Sequence, residues 1–184
     1  MPVLMRPKKF HKLVAFDFDN TITQDIIGPT NHHKSYLDVM GGQQRLNHLK
    51  KLFETLTKAG VQIIIVSFNV EGYVRHFLQH VGLFEYITYV FDRYSIYRNL
   101  KKIMPNQHAL WKKYKKQYFM MVFVSKFFHI PGKSCLLVDD QQSNLDGLDD
   151  FCGTLKIYTR ADNRGFGIRD SDILKIYLFF NIIT

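Results

Sequence analysis

The chain has 184 residues, 46% hydrophobic and 22% charged, a balance that fits a soluble globular protein with one sizeable core. Two cysteines, Cys135 and Cys152, are too few for the disulfide framework of a small secreted domain. A formal net charge of +9 favours anionic partners, whether phosphorylated molecules, nucleic acid or acidic membrane, without choosing among them.

The opening MPVLMRPKKFHKL lacks the apolar stretch of a secretory signal, so a reduced, cytoplasmic setting is expected. The first expected strand, KLVAFDF, ends in Asp17 with Asp19 two residues on. Residues two apart on a strand share a face, so these carboxylates repel unless a cation lies between them. Either the pair binds a metal or it divides acid and base roles. Leu46, Leu49, Leu52, Phe53 and Leu56 then recur at helical spacing, with Gly60 as the stop. VQIIIVSF is apolar throughout, as in a parallel strand covered on both faces.

Tyr73, Val74, Phe77, Leu78 and Val81 mark the next helix, closed by Gly82, and YITYVF is expected as the third strand. A short helical stretch follows, and Pro105 separates it from a long helix expected around 107–128. KSCLLVDD is the fourth strand, with Cys135 an ordinary core thiol, and GTLKIYT the fifth. The last helix is expected over 171–180, capped by Asp170 or Ser171. Its tail, ILKIYLFFNIIT, is too short and too interrupted by Lys175 for a membrane span; it reads as a core-packing helix, after which a longer protein could continue.

Strands alternating with helices make one doubly wound α/β domain, Rossmann-like with a central parallel sheet, over residues 1–184. In such sheets the ligand sits beyond the carboxyl ends of the strands. Three strands end in residues suited to chemistry: Asp17 and Asp19, Ser67 and Asn69, and Asp139 and Asp140.

DFDNTIT, IIIVSFN and CLLVDDQQSN, in this order, resemble the first, second and fourth motifs of the haloacid dehalogenase-like phosphatase superfamily, over residues 13–145. The resemblance implies an open parallel sheet with the first strand central. It implies Asp17 as nucleophile, forming an aspartyl-phosphate, and Asp19 as general acid and base. One Mg2+ is the implied cofactor, held by Asp17, Asp140, the Asp19 position and Asp139, the last directly or through water. Ser67 is expected to bind a phosphate oxygen and Thr21 and Asn144 to brace the site; Asn69 fits either role and is grouped with the phosphate contacts. The third motif calls for a lysine, and Lys116 is the choice among Lys112, Lys113, Lys115 and Lys116, with Lys115 in reserve and Lys126 and Lys133 too near the fourth strand.

Neither gap between these motifs holds a sizeable cap domain, so the chain resembles the capless branch, especially the magnesium-dependent phosphatases. An open site suits phosphate on a macromolecule, with phosphotyrosine protein preferred over phosphoserine or a sugar phosphate. His32 and His33 are candidates for the entrance. Nucleic-acid end processing is the alternative enzyme reading, because aromatics interleave the basic run WKKYKKQYF. A phospho-ligand binding module on an inactive fold is the non-enzyme reading. Neither a membrane span nor a particular oligomeric state is implied.

Overall fold

The computed structural model describes residues 11–28, 34–106, 115–159 and 166–183. Five parallel strands form one sheet in the order β3-β2-β1-β4-β5: β1 (Lys12–Phe16), β2 (Val61–Val66), β3 (Tyr89–Phe91), β4 (Cys135–Asp139) and β5 (Gly153–Lys156). Strand β1 is central, as the α/β reading requires, with Phe16 level with Ile65 of β2 and Val138 of β4.

The apolar runs of β1, β2 and β4 are buried on both faces because helices cover both. Val14, Phe16, Ile63, Ile65 and Val138 face α2 (Gln43–Lys58), α3 (Glu71–His80) and α7 (Asp170–Phe179). Leu13, Ala15, Ile64, Val66 and Leu137 face α4 (Arg93–Ile103) and α5, residues 115–128. A short helix, α1 (Tyr36–Met40), precedes α2, and a single turn, α6 (Gln142–Leu145), follows β4. Gly60 and Gly82, the expected stops, lie at φ 72° and 69°, where a side chain would be strained.

Several boundaries differ from the sequence reading. The third strand is only Tyr89–Phe91, because Phe84–Tyr86 wind into a 3-10 turn that tucks Phe84 and Tyr86 against the core. The fourth strand likewise starts after a 3-10 turn, Gly132–Ser134, and the fifth stops at Lys156. Of the helix expected around 107–128, residues 107–114 lie outside the described part. Its remainder is α-helical over Lys115–Tyr118 and Ser125–Phe128 and widens to π-helical geometry over Phe119–Val124.

The last helix begins one residue early, and neither Asp170 nor Ser171 caps it. Buried Asp172 accepts the Arg169 backbone N–H instead, at 3.1 Å, while Asp170 faces His48 at 2.8 Å. No helix among the described residues is long and apolar enough to cross a membrane.

Candidate active site

Because β1, β2 and β4 end level, their next residues meet on one rim. Asp17 stays extended and donates its N–H to Val138 O at 2.8 Å, which continues the β1–β4 ladder. The chain then turns through Phe18–Ile22 with Asn20 at φ 60°, a left-handed conformation that asparagine tolerates better than most residues. Thr23 closes the turn by donating its N–H to Phe18 O at 3.1 Å, while its Oγ1 hydroxyl lies 2.7 Å from Asp25 O.

This turn is braced from outside by Arg45 of α2, which the sequence did not point to. Its Nη1 donates to Ile22 O and Met40 O, each at 2.7 Å, its Nη2 to Thr21 O at 3.1 Å and its Nε to Ile168 O at 3.2 Å. Burial lowers the guanidinium pKa to about 10. Both ends of the segment between Ile22 and Met40 are thus tied to one side chain. Thr21 is fully buried and contributes its main chain to this brace; its Oγ1 has no partner among the described residues.

Asp17 and Asp19 occupy different environments. Lys116 Nζ, 1% exposed, sits 2.7 Å from Asp17 Oδ1 and 2.7 Å from Asp139 Oδ2. Burial raises the Asp17 pKa well above the usual carboxylate range; Lys116 offsets part of this, while Asp139 and Asp140 add to it. Burial also disfavours the Lys116 ammonium, yet Asp139 and Asp17 more than compensate and raise its pKa.

The Asp19 carboxylate accepts Ile27 N–H at 2.8 Å and Asn69 Nδ2–H at 3.0 and 3.2 Å. Burial raises its pKa to about 6, against the opposing pull of those hydrogen bonds. Asn69 therefore differs from its grouping with the phosphate contacts. Its amide nitrogen is committed to Asp19 and to Ile27 O at 2.6 Å, and its Oδ1 accepts Val70 N–H at 2.7 Å. Buried Ser67 accepts Asn69 N–H at 3.0 Å and keeps its own hydroxyl proton for another acceptor.

The adjacent acids of β4 divide as well. Asp139 is saturated: beyond Lys116, it accepts Gln141 N–H at 2.8 Å and Asn144 Nδ2–H at 2.9 and 3.1 Å. Among the described residues Asp140 Oδ2 accepts only the Gln141 side-chain amide, at 2.7 Å, and Lys156 donates to its main-chain oxygen. Asp17, Asp139 and Asp140 each present an oxygen within 4.8 Å of the others, and all three are buried. Three buried carboxylates facing one ammonium leave negative charge that a hard divalent cation would balance, so the cluster can hold a metal ion.

The groups open into a cavity of about 350 Å3 lined by Asp17, Asp19, Ser67, Asn69, Lys116 and Asp140. Arg93, the first residue of α4, also lines it, and no motif flagged that arginine. A second cleft of about 550 Å3 shares Ile27 with the first and is lined by Tyr36, Val39, Val70, Tyr73 and Phe77, with no carboxylate among its described lining residues. Lys133 sits exposed in its 3-10 turn, and Lys126 lies on α5. His32, His33, Lys112 and Lys113 lie outside the described residues.

No protein-family model matches the chain, and no curated protein matches it in sequence. Solved structures do. The core domain of a candidate phosphoglycolate phosphatase from Streptococcus pneumoniae is 9% identical with a TM-score of 0.51, covering 91% of this chain and 95% of its own. The HAD domain of the effector protein Lem4 from Legionella pneumophila is 17% identical with a TM-score of 0.50, covering 91% and 94%. A HAD-superfamily hydrolase from Ehrlichia chaffeensis is also 17% identical with a TM-score of 0.50, covering 96% and 100%. With β1 central in a parallel sheet and these likenesses along almost its whole length, the chain has the haloacid dehalogenase-like fold.

Proposed function

We propose that the chain is a Mg2+-dependent phosphomonoester hydrolase that works through an aspartyl-phosphate on Asp17, with phosphoprotein, phosphotyrosine above all, as its substrate. The observation that carries this reading is the unlike treatment of two carboxylates on one cavity. Burial raises the pKa of both, but Asp17 is paired with a buried lysine and belongs to the acidic cluster that could hold a metal ion, while Asp19 is held by neutral donors outside that cluster. Such a pair separates a nucleophile from a proton carrier.

In the first step an Asp17 oxygen attacks phosphorus, the bond to the leaving oxygen breaks, and Asp19 gives that oxygen its proton. In the second, water attacks the same phosphorus and passes a proton to Asp19. The bond to Asp17 then breaks and inorganic phosphate leaves. Lys116 balances charge on Asp17 and the phosphoryl group, Ser67 donates its hydroxyl to a phosphoryl oxygen, and Asn69 and Ile27 aim Asp19. Asp139 and Asn144 hold Lys116 in place. Asp17, Asp140 and the Asp19 main-chain carbonyl would hold the Mg2+, with Asp139 behind them; once bound, the ion offsets negative charge at the phosphoryl group.

Phosphoprotein is favoured because, beyond the turn at Phe18–Ile22, the described residues from Asp19 to Ser67 hold only α1, α2 and the core strand β2, and the basic chain suits an anionic partner. The aromatic-lined cleft beyond Ile27 gives the body of a large substrate somewhere to rest.

An activated aryl phosphate tests the mechanism. Asp17→Asn should abolish turnover and phosphate labelling, because an amide cannot form the acyl phosphate. Asp19→Asn should give a burst of aryl alcohol, slow turnover and a phosphate-labelled protein, since this leaving group needs little protonation but water still needs a base. Labelling of the Asp17→Asn protein, or an undiminished second step in Asp19→Asn, would overturn the assignment. A panel of phosphopeptides, sugar phosphates and phosphorylated oligonucleotides, compared by kcat/KM, tests the substrate class.

A further inference from the structure

Helix α4 carries a face that the catalytic reading does not use. Its inward residues Ile96 and Leu100 are fully buried. Its outer side presents exposed Arg93 and Lys101 in one row, with half-buried Tyr97 between them, and Tyr94, Arg98 and Lys102 in the next. Residues four apart stack on one side of a helix, so these rows form a continuous stripe about 12 Å long.

The stripe starts in the catalytic cavity, because Arg93 lines it. It then runs down the flank of the sheet beside the edge strand β3. None of its four cations has a carboxylate within ion-pair distance among the described residues. Other helices of comparable length behave differently. In α2, Lys58 pairs with Glu54, and in α3, Arg75 pairs with Glu71, each across one helical turn. Helix α4 has no acidic residue, and Asp92, which immediately precedes it, is buried and accepts Ser95 N–H as the cap.

We infer that the α4 stripe docks an acidic segment of the phosphoprotein whose phosphorylated side chain enters the cavity past Arg93. This rests on the phosphatase reading of the site and adds what selects its substrate. Glu and Asp side chains on an extended segment, at about 3.3 Å per residue, would meet Arg98, Lys101 and Lys102 as the chain leaves the cavity. A single nucleic-acid strand fits less well. Such strands take a basic groove with open aromatic faces. Here the cations stand on a convex helix, and the Arg93 guanidinium lies 5.3 Å from the centre of the Tyr94 ring, covering a face a base would need.

The test compares the full chain on three substrates: an aryl phosphate, a phosphotyrosine peptide with neutral flanks, and the same peptide with four glutamates on either side of the phosphotyrosine. The acidic peptide should exceed the neutral one by about tenfold in kcat/KM at low salt, an advantage that shrinks as salt rises. The combined Arg98→Glu, Lys101→Glu, Lys102→Glu variant should erase or invert that ratio. Absence of hydrolysis on all three substrates would reject the phosphatase reading itself. Hydrolysis with equal kcat/KM for the two peptides, or an acidic advantage that survives the triple variant, would overturn the inference alone. So would a terminally phosphorylated oligonucleotide, run as a competitor in the same assay, outcompeting the acidic peptide, since that assigns the stripe to nucleic acid.

Discussion

Lys116 Nζ stands 2.7 Å from Asp17 Oδ1 and the same distance from Asp139 Oδ2, with the lysine 1% exposed. One buried ammonium therefore ties the end of β1 to the end of β4, and the charge it neutralises is shared by two carboxylates. Lys116→Ala leaves both uncompensated in a desolvated site, so it should destabilise the metal-free protein by about 3 kcal/mol, measured by urea unfolding in EDTA. It should also lower kcat on an aryl phosphate by about 10²–10³-fold, the range for loss of one preorganised electrostatic partner. Activity within a few-fold of wild type would remove Lys116 from the chemistry.

The adjacent acids Asp139 and Asp140 should fail in different ways. Asp139 is fully occupied by Lys116, Gln141 and Asn144, so Asp139→Asn should lower Tm whether or not Mg2+ is present. Among the described residues the Asp140 carboxylate is held only by the neutral Gln141 amide. Asp140→Asn should keep a metal-free Tm near wild type, because it also relieves repulsion with Asp17, but lose most of the rise that Mg2+ gives the wild-type protein. Thermal scans with and without Mg2+ decide the matter; equal Mg2+ responses in the two variants would refute the division of labour.

Much of this site could be read from sequence because its signals are local. Asp17, Ser67 and Asp139 each follow an apolar run, and parallel register then levels the strand ends without further information. Lys116 is harder, since a basic run on a helix offers several equivalent lysines and only packing decides which is swallowed. Asn69 was ambiguous for a related reason: its partners Asp19 and Ile27 are 50 and 42 residues away, and spacing says nothing about such contacts. Arg45 and Arg93 belong to no motif. The one acts through main-chain carbonyls that any sequence would supply, the other through its place at a helix start beside the cavity. The shortened β3 has a similar origin, as YITYVF is equally apolar in a strand and in a 3-10 turn packed on the core.

Arg45 should be a stability residue of unusual weight for a position with no carboxylate partner. Its three nitrogens serve four carbonyls, at Thr21, Ile22, Met40 and Ile168. Lysine cannot reproduce that fork from one nitrogen, so Arg45→Lys should recover less than half of the loss seen in Arg45→Met. The latter should cost about 3 kcal/mol, because several buried acceptors are left without donors. Urea unfolding of both variants measures this. Losses within about 0.5 kcal/mol of wild type would show that the carbonyls find other donors.

The raised carboxylate pKa values fix how stability should depend on pH when metal is absent. Asp19 moves from 3.8 in the unfolded chain to about 6 in the fold, and Asp17 also rises. Below pH 3.8 both states of the chain carry the Asp19 proton, and the group's contribution is fully present. Between that value and about 6 the unfolded chain has released the proton while the fold still binds it, so each step up in pH favours unfolding. In EDTA, wild-type stability relative to Asp19→Asn should therefore fall across this interval and level off above it, with Asp17 extending the fall in the wild type and in the variant alike. Saturating Mg2+ should flatten the wild-type profile at its upper end, because a cation among ionised carboxylates replaces the proton that burial otherwise demands. Urea midpoints at intervals from pH 4 to 7, with EDTA or Mg2+, provide the comparison. A wild-type advantage over Asp19→Asn that grew with pH in EDTA would mean that the Asp19 carboxylate is stabilised as the anion, and its role as proton donor would fall with it.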